Sequence, residues 1–135
     1  MEWVTPDPID CAALRAWVSD ERAGAVVTFE GIVRNHDHGR AVTGIEYVGH
    51  PSASDVVARA VAEFTEREGV HAVVAQHRVG VLAVGEVALF VAVGASHRGQ
   101  AFSCASDLVD RIKEVLPVWK KQLFADGTHE WTACP

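Results

Sequence analysis

Glu86-Val87-Ala88-Leu89-Phe90-Val91-Ala92-Val93, then Ser96-His97-Arg98-Gly99 and a run from Gln100 to about Leu116, decide the fold of this chain. A nearly all-apolar stretch of strand length is expected to lie centrally in a sheet, covered on both faces. In the run that follows, helical spacing places Ala101, Ala105, Leu108, Val109, Ile112 and Leu116 on one face. Asp107, Asp110, Arg111 and Glu114 fall on the opposite face, so this segment predicts an amphipathic helix. Pro117 blocks its continuation. Beyond it, Val118 to Phe124 and His129 to Thr132 flank Asp126-Gly127, a hairpin signal.

Upstream, Ala25 to Val33 is rich in β-branched and apolar residues and reads as a buried strand. Arg34 to Arg40 is a polar loop. Val42 to Val48 is the next strand, with Ile45 and Tyr47 on one face and Glu46 on the other. Pro51-Ser52 opens a helix, with Asp55 in a capping-box-like position and a stripe of Val56, Val57, Ala60, Val61 and Phe64. Gly69 ends it. Val70 to Val79 is a strand and Val81 to Gly85 a turn region. Near the start, Trp3 to Thr5 forms a short strand. Asp7-Pro8 begins a helix, with a carboxylate N-cap and Pro in the first helical position, and Ala13, Leu14, Trp17 and Val18 face inward. This order predicts an α+β fold, a mainly antiparallel sheet packed with three helices, as a single domain over residues 1–135.

Composition excludes several function classes. The net charge of -6 argues against general binding to nucleic acid or to anionic membranes. No apolar run approaches the roughly 20 residues of a membrane span, and the N-terminus has no signal pattern. Cys11, Cys104 and Cys134 are odd in number and form no CxxC pair, which suits a reducing compartment, the cytoplasm by default. There is no P-loop, GxGxxG or GxSxG. His36-x-His38 has only Asp37 beside it, too little for a metal site. His77 lies within a strand and reads as structural, and Cys104 as core rather than nucleophile.

The chemistry points to lysine. Of 12 basic residues only three are Lys, and these are Lys113, Lys120 and Lys121. An amine can lose a proton or attack a carbonyl, which a guanidinium cannot. Lys113 falls on the flank of the helix's apolar stripe, and Lys120 follows the turn at Pro117, so the two amines can converge on one pocket. At about 6 Å and an effective dielectric of about 20 they repel by roughly 3 kcal/mol. Such a pair binds an anion while both are charged and supplies a neutral amine when one is not. The plainer reading has Lys113 snorkelling at the helix's negative end, with Lys120 and Lys121 solvated. Ser96-His97-Arg98-Gly99 opens a helix, where backbone N–H groups attract anions. Arg98 could add a bidentate contact; the plainer reading of the same segment is a capping turn with solvated side chains. Arg34 starts a loop at a strand end, placed to reach a ligand, though a lone loop arginine is more often just exposed.

Four segments in order carry a family resemblance: Phe29-Glu30-Gly31-Ile32-Val33-Arg34, His77-Arg78-Val79-Gly80, Ser96-His97-Arg98-Gly99-Gln100-Ala101-Phe102, and Lys113 with Pro117-Val118-Trp119-Lys120-Lys121. They resemble the large, catalytic subunit of molybdopterin synthase, the MoaE family, from about residue 3 to Trp131. The resemblance implies an α/β-hammerhead-type fold and a homodimer within a heterotetramer. It also implies a partner, a small ubiquitin-like sulfur carrier (MoaD-like) whose C-terminal Gly-Gly thiocarboxylate enters the large subunit's pocket. The implied reaction, a sulfurtransferase step in molybdenum cofactor biosynthesis, moves sulfur to cyclic pyranopterin monophosphate to form the dithiolene of molybdopterin. By matching position, Lys113 and Lys120 are the catalytic lysines, while Phe29, Arg34, His97 and Arg98 match a substrate pocket built across the dimer interface. No cofactor and no metal are implied, because the sulfur arrives on the carrier. Family members often continue past the tryptophan matching Trp131 with a basic residue and a tail, where this chain has Thr132-Ala133-Cys134-Pro135. Two rivals stand beside this reading: a non-catalytic dimeric module binding a partner's C-terminal tail, and a phosphate-binding enzyme acting alone.

Overall fold

The computed structural model describes residues 1–134, with side chains through Thr132; Pro135 and the side chain of Cys134 lie outside them. In chain order the elements are β1 (Val4–Thr5), α1 (Cys11–Trp17), β2 (Ala25–Ile32), β3 (His36–Asp37), β4 (Arg40–Gly49), α2 (Ala53–Thr65), β5 (Val70–Arg78), β6 (Gly80–Ala83), β7 (Val87–Ala95), α3 (Arg98–Val115), β8 (Val118–Phe124) and β9 (His129–Cys134). They form two sheets. The first has the order β1-β5-β7-β2, antiparallel except for the parallel β1–β5 edge. The second has the order β3-β4-β8-β9, with β6 also paired to β4, and is antiparallel throughout. This is the mainly antiparallel α+β arrangement with three helices that the sequence predicts.

β7 is central, and its two faces serve two cores. Leu89, Val91 and Val93 pack against α2 and α3, whose buried faces include Val57, Val61, Phe64, Leu108 and Ile112. Phe90 and Ala92 pack on the other side with Leu14 and Val18 at α1 and with Val74 of β5. Burial on both faces is why the strand shows no polar alternation. A third cluster, Val33, Val42, Ile45, Leu82, Ala88 and Phe124, fills the space between the two sheets.

Several local expectations are corrected. α1 starts at Cys11, not at Asp7-Pro8: the Asp7 N–H donates to Thr5 Oγ1, and the Asp10 carboxylate caps the helix by accepting from Ala13 N at 3.1 Å. Short and amphipathic, α1 buries Leu14 and Val18 and leaves Ala13 and Trp17 exposed. β2 is half-buried rather than buried, because it ends the first sheet and pairs only with β7. The loop expected over Arg34–Arg40 holds the β3–β4 hairpin; His38 and Gly39 both take positive φ (49° and 78°), the two-residue turn that suits right-handed strand twist. The turn region expected at Val81–Gly85 begins as a strand, β6, which pairs Leu82 with Ile45 and buries Leu82 while Val81 stays exposed. Ser52 makes no side-chain cap; its N–H and hydroxyl bond the His50 ring instead.

α3 ends abruptly. Leu116 adopts an extended ψ of 117° and its N–H makes a 2.8 Å bond to Ile112 O, the last of the helix. The residue before a proline is pushed out of the helical region, so Pro117 determines where α3 stops and β8 begins.

α1 packs so closely on β7 that a Cβ at Gly94 would lie 2.9 Å from the Val18 carbonyl oxygen. Backbone cannot yield there as a side-chain tip would. Gly94→Ala is expected to cost about 1–3 kcal/mol, whereas Gly99→Ala, with nothing within 4 Å, leaves stability unchanged or slightly higher. Urea midpoints of the two variants check this.

Candidate active site

Even-numbered residues of β8 point inward: Val118, Gln122 and Phe124 are buried and Lys120 is half-buried, while Trp119 is exposed. The antiparallel register sets Lys120 beside Tyr47 and Gln122 beside Ile45. Lys113 sits in the last turn of α3, just before the chain reverses at Pro117. These elements enclose a cleft of about 280 Å³ that Lys113 and Lys120 both line. Phe29 from β2, Arg34 from the loop after it, Asp37 from the β3–β4 hairpin and His77 from β5 complete its polar and aromatic wall. The two lysines therefore converge as the spacing around Pro117 predicts, although Lys113 is exposed at the rim rather than held at the core's edge.

His97 and Arg98 are elsewhere. His97 precedes the first residue of α3, and its N–H donates to Gln100 Oε1 at 3.1 Å; Arg98 opens the helix, and both side chains are exposed. Fifteen residues of helix, about 22 Å at 1.5 Å per residue, separate Arg98 from Lys113. One chain thus assembles Lys113, Lys120, Phe29 and Arg34 and leaves His97 and Arg98 at the far end of the same helix.

Three groups line the cleft beyond those that the sequence points to as site residues. Gln122, 7% exposed, donates from Nε2 to Asp37 Oδ2 at 2.9 Å. Asp37 Oδ1 also faces Arg34 Nη2 at 3.4 Å. The Gln122 hydrogen bond, and then the positive charges of His38, Lys120 and Arg34, hold the Asp37 carboxyl below the usual carboxylate range. The signal available was the i, i+2 relation of Lys120 and Gln122, which share one face of a strand. His77, read as structural, is 4% exposed and lines the cleft, with the Tyr47 ring edge-on at 4.9 Å between centroids. Burial pushes its imidazole down to about 4; the Lys113 charge pushes the same way and the Arg78 main chain only partly opposes. Its Nδ1 is buried without a well-formed hydrogen bond. His77 is thus a neutral ring in the wall of a cationic cleft.

Cys104 is fully buried, and burial pushes its thiol up. Burial, and then the neighbouring Glu30, push Cys11 up to about 11, so neither thiol is a ready thiolate. Nδ1 of His36 faces Asn35 Oδ1, and His38 faces Asp37. Among the described residues no group of three or more His, Cys, Asp or Glu side chains is arranged to hold a metal.

His77 carries a pH signature. Its folded pKa lies below the ordinary value of 6.5, so the unfolded chain binds the proton first as pH falls. The stabilisation from keeping it neutral is present above about 6.5 and is lost progressively towards about 4, amounting to about 2 kcal/mol between pH 7 and pH 5. His77→Gln is therefore expected to show a smaller loss of stability over that interval than the unsubstituted protein. Urea unfolding at the two pH values measures it; parallel losses in both proteins would contradict the assignment.

Comparison with known proteins identifies the family. Residues 4–115 match the family model described as MoaE protein. The molybdopterin synthase catalytic subunit of Bacillus subtilis is 36% identical over 130 residues, covering 95% of this chain and 82% of that one. Among solved structures, molybdopterin synthase from Staphylococcus aureus superposes with a TM-score of 0.90 at 30% identity, over 98% of this chain and 96% of the other. A chain of the complex of subunits 1 and 2 of the molybdopterin-converting factor from Helicobacter pylori has a TM-score of 0.76 at 17% identity, over 96% and 88%, and speaks to the fold alone. No helix among the described residues is long and apolar enough to cross a membrane. With four-fifths of the chain inside the family match and both lysines in one cleft, this protein belongs to the MoaE family of molybdopterin synthase catalytic subunits.

Proposed function

We propose that this cleft is a sulfurtransferase site. In it, the C-terminal thiocarboxylate of a small ubiquitin-like carrier gives up its sulfur to cyclic pyranopterin monophosphate, building the dithiolene of molybdopterin. The observation that carries the reading is the convergence of Lys113 and Lys120, from different elements, on one cleft that also holds Arg34 and Phe29.

The chemistry asks for what these residues offer. A carrier tail and a phosphorylated pterin are both anionic, and Arg34, Lys113 and Lys120 give the cleft a positive lining in a chain of net charge -6. The carrier's sulfur attacks a pterin side-chain carbon, forming a C–S bond as a C–O bond at that carbon breaks and its oxygen leaves protonated. Water then cleaves the acyl–sulfur bond, releasing the carrier's carboxylate and leaving the sulfur on the pterin; both steps move protons and develop negative charge on oxygen. One lysine serves as acid, base or transient amine nucleophile; the other stabilises the developing charge. Phe29 supplies an aromatic wall for the pterin. No thiol of this chain takes part, since the sulfur arrives on the carrier.

His97 and Arg98 enter in our reading from a second copy, the family's homodimer within a heterotetramer with two carriers. An apolar groove between β2 and α3, lined by Val27, Phe29, Phe102, Ala105 and Val109, adjoins the cleft at Phe29. Phe102 there is 62% exposed, and the outer edge of β2 is unpaired among the described strands. Both features suit burial against another subunit. The reaction so described belongs in the cytoplasm.

Lys113→Ala and Lys120→Ala are each expected to lower product formation from pre-thiocarboxylated carrier by at least about 100-fold, while carrier binding measured by calorimetry largely survives. A loss of carrier binding with turnover per complex intact would favour a non-catalytic tail-binding module. Turnover without any carrier would favour an enzyme acting alone.

A further inference from the structure

Asp37 is the one carboxylate among the described residues lining a cleft that otherwise carries Arg34, Lys113 and Lys120. A negative group in a site for anions needs a reason. Its geometry is specific: Oδ2 accepts from the buried Gln122 amide at 2.9 Å, and Oδ1 faces Arg34 Nη2 at 3.4 Å and His38 Nε2 at 3.8 Å. Lys120, two residues before Gln122 on the same face of β8, adds its charge to the same carboxyl. Gln122 ties the acid to β8, and the tight turn at His38-Gly39 restrains it from the hairpin side. The carboxylate is thus fixed, whereas Arg34, with a side chain 65% exposed, is held only by a long contact to it.

We propose that Asp37 is a positioning residue, an internal counter-ion that orients Arg34 before the ligand arrives and yields it to the anionic group of that ligand. This rests on the reading above that the ligand is a phosphate ester. Close cations repel one another, and an uncompensated set drives flexible side chains outward into water. One anchored carboxylate keeps them near the cleft. A phosphate offers more acceptor oxygens and then takes over the contact with Arg34, a pairing that suits a guanidinium. The acid therefore opposes anion binding while improving the placement of the groups that act on the bound ligand. Gln122 contributes by keeping the carboxylate from following Arg34 onto the ligand.

The test separates charge from anchoring and from fold. Asp37→Asn keeps the shape and an acceptor for Gln122 but removes the charge. It is expected to bind inorganic phosphate, and the pterin phosphate in the presence of carrier, roughly three- to five-fold more tightly, while kcat falls and the melting temperature holds. Gln122→Leu keeps the charge but frees it, so kcat falls without any tightening of phosphate binding. Phosphate affinity in Asp37→Asn that is unchanged, weaker, or absent as in the parent overturns the proposal, as does an unchanged kcat. Failure of the parent protein with thiocarboxylated carrier to make product would sink the sulfur-transfer reading instead, and leaves the phosphate titration as an independent test of Asp37.

Discussion

The clash between Pro117 and a helical conformation at Leu116 is the constraint on which the site depends. Because α3 stops there within one residue, its last turn and the inward face of β8 are brought against each other. Lys113 and Lys120 reach the same cleft from two directions as a consequence. A helix one turn longer would carry the chain past the second sheet and remove Lys120 from the wall. The rest of the architecture holds that junction still: α3 is seated on β7 and β2 by a continuous apolar stripe, and β8 is registered to β4 across seven residue pairs.

Around that junction the charges are arranged against the average of the molecule. The chain is acidic overall, yet the cleft gathers Arg34, Lys113 and Lys120 around one carboxylate. Their neighbours are apolar side chains and a buried imidazole that stays neutral because protonation would place a further charge, poorly solvated, beside Lys113. Lys120, half-buried, interacts with an anionic ligand through a less solvated path than Lys113 and Arg34, which stand at the exposed rim. Lysine rather than arginine at positions 113 and 120 leaves open the proton transfers that a guanidinium cannot make. The carbon framework and the electrostatics therefore favour the same class of chemistry.

Much of this was legible in the residues, and the gaps have physical causes. The apolar run at β7, the stripe of α3, the stop at Pro117 and the β8–β9 hairpin are all local patterns, and the structure holds each of them. β6 leaves little trace in the sequence because a four-residue strand carries only one buried side chain, Leu82, and pairs with a partner some 35 residues away. The β3–β4 hairpin turns on His38-Gly39, not the Asn-Gly or Asp-Gly that usually announces such a turn. Asp7-Pro8 has the pattern of a helix start, while the bond from Asp7 N–H to Thr5 that keeps it out of α1 depends on three-dimensional structure. In the site, the lysines stood out by scarcity, and Arg34 and Phe29 by motif. Asp37, Gln122 and His77 did not, since each owes its role to a neighbour distant in sequence, such as Gln122 at 85 residues from Asp37. His97 and Arg98 show the converse: their motif is clear, yet a single chain holds them about 22 Å along a helix from Lys113.

The most direct measurement is zero-length carbodiimide coupling of the carrier's C-terminal carboxylate to this protein, with the linked lysine identified by mass spectrometry. All three lysines lie within nine residues, and Lys121 packs near the Trp131 ring on the opposite face of β8 from Lys120. The account predicts coupling to Lys113 or Lys120 and none to Lys121. Coupling at Lys121 alone, or at no lysine in a complex shown to have formed, would contradict it.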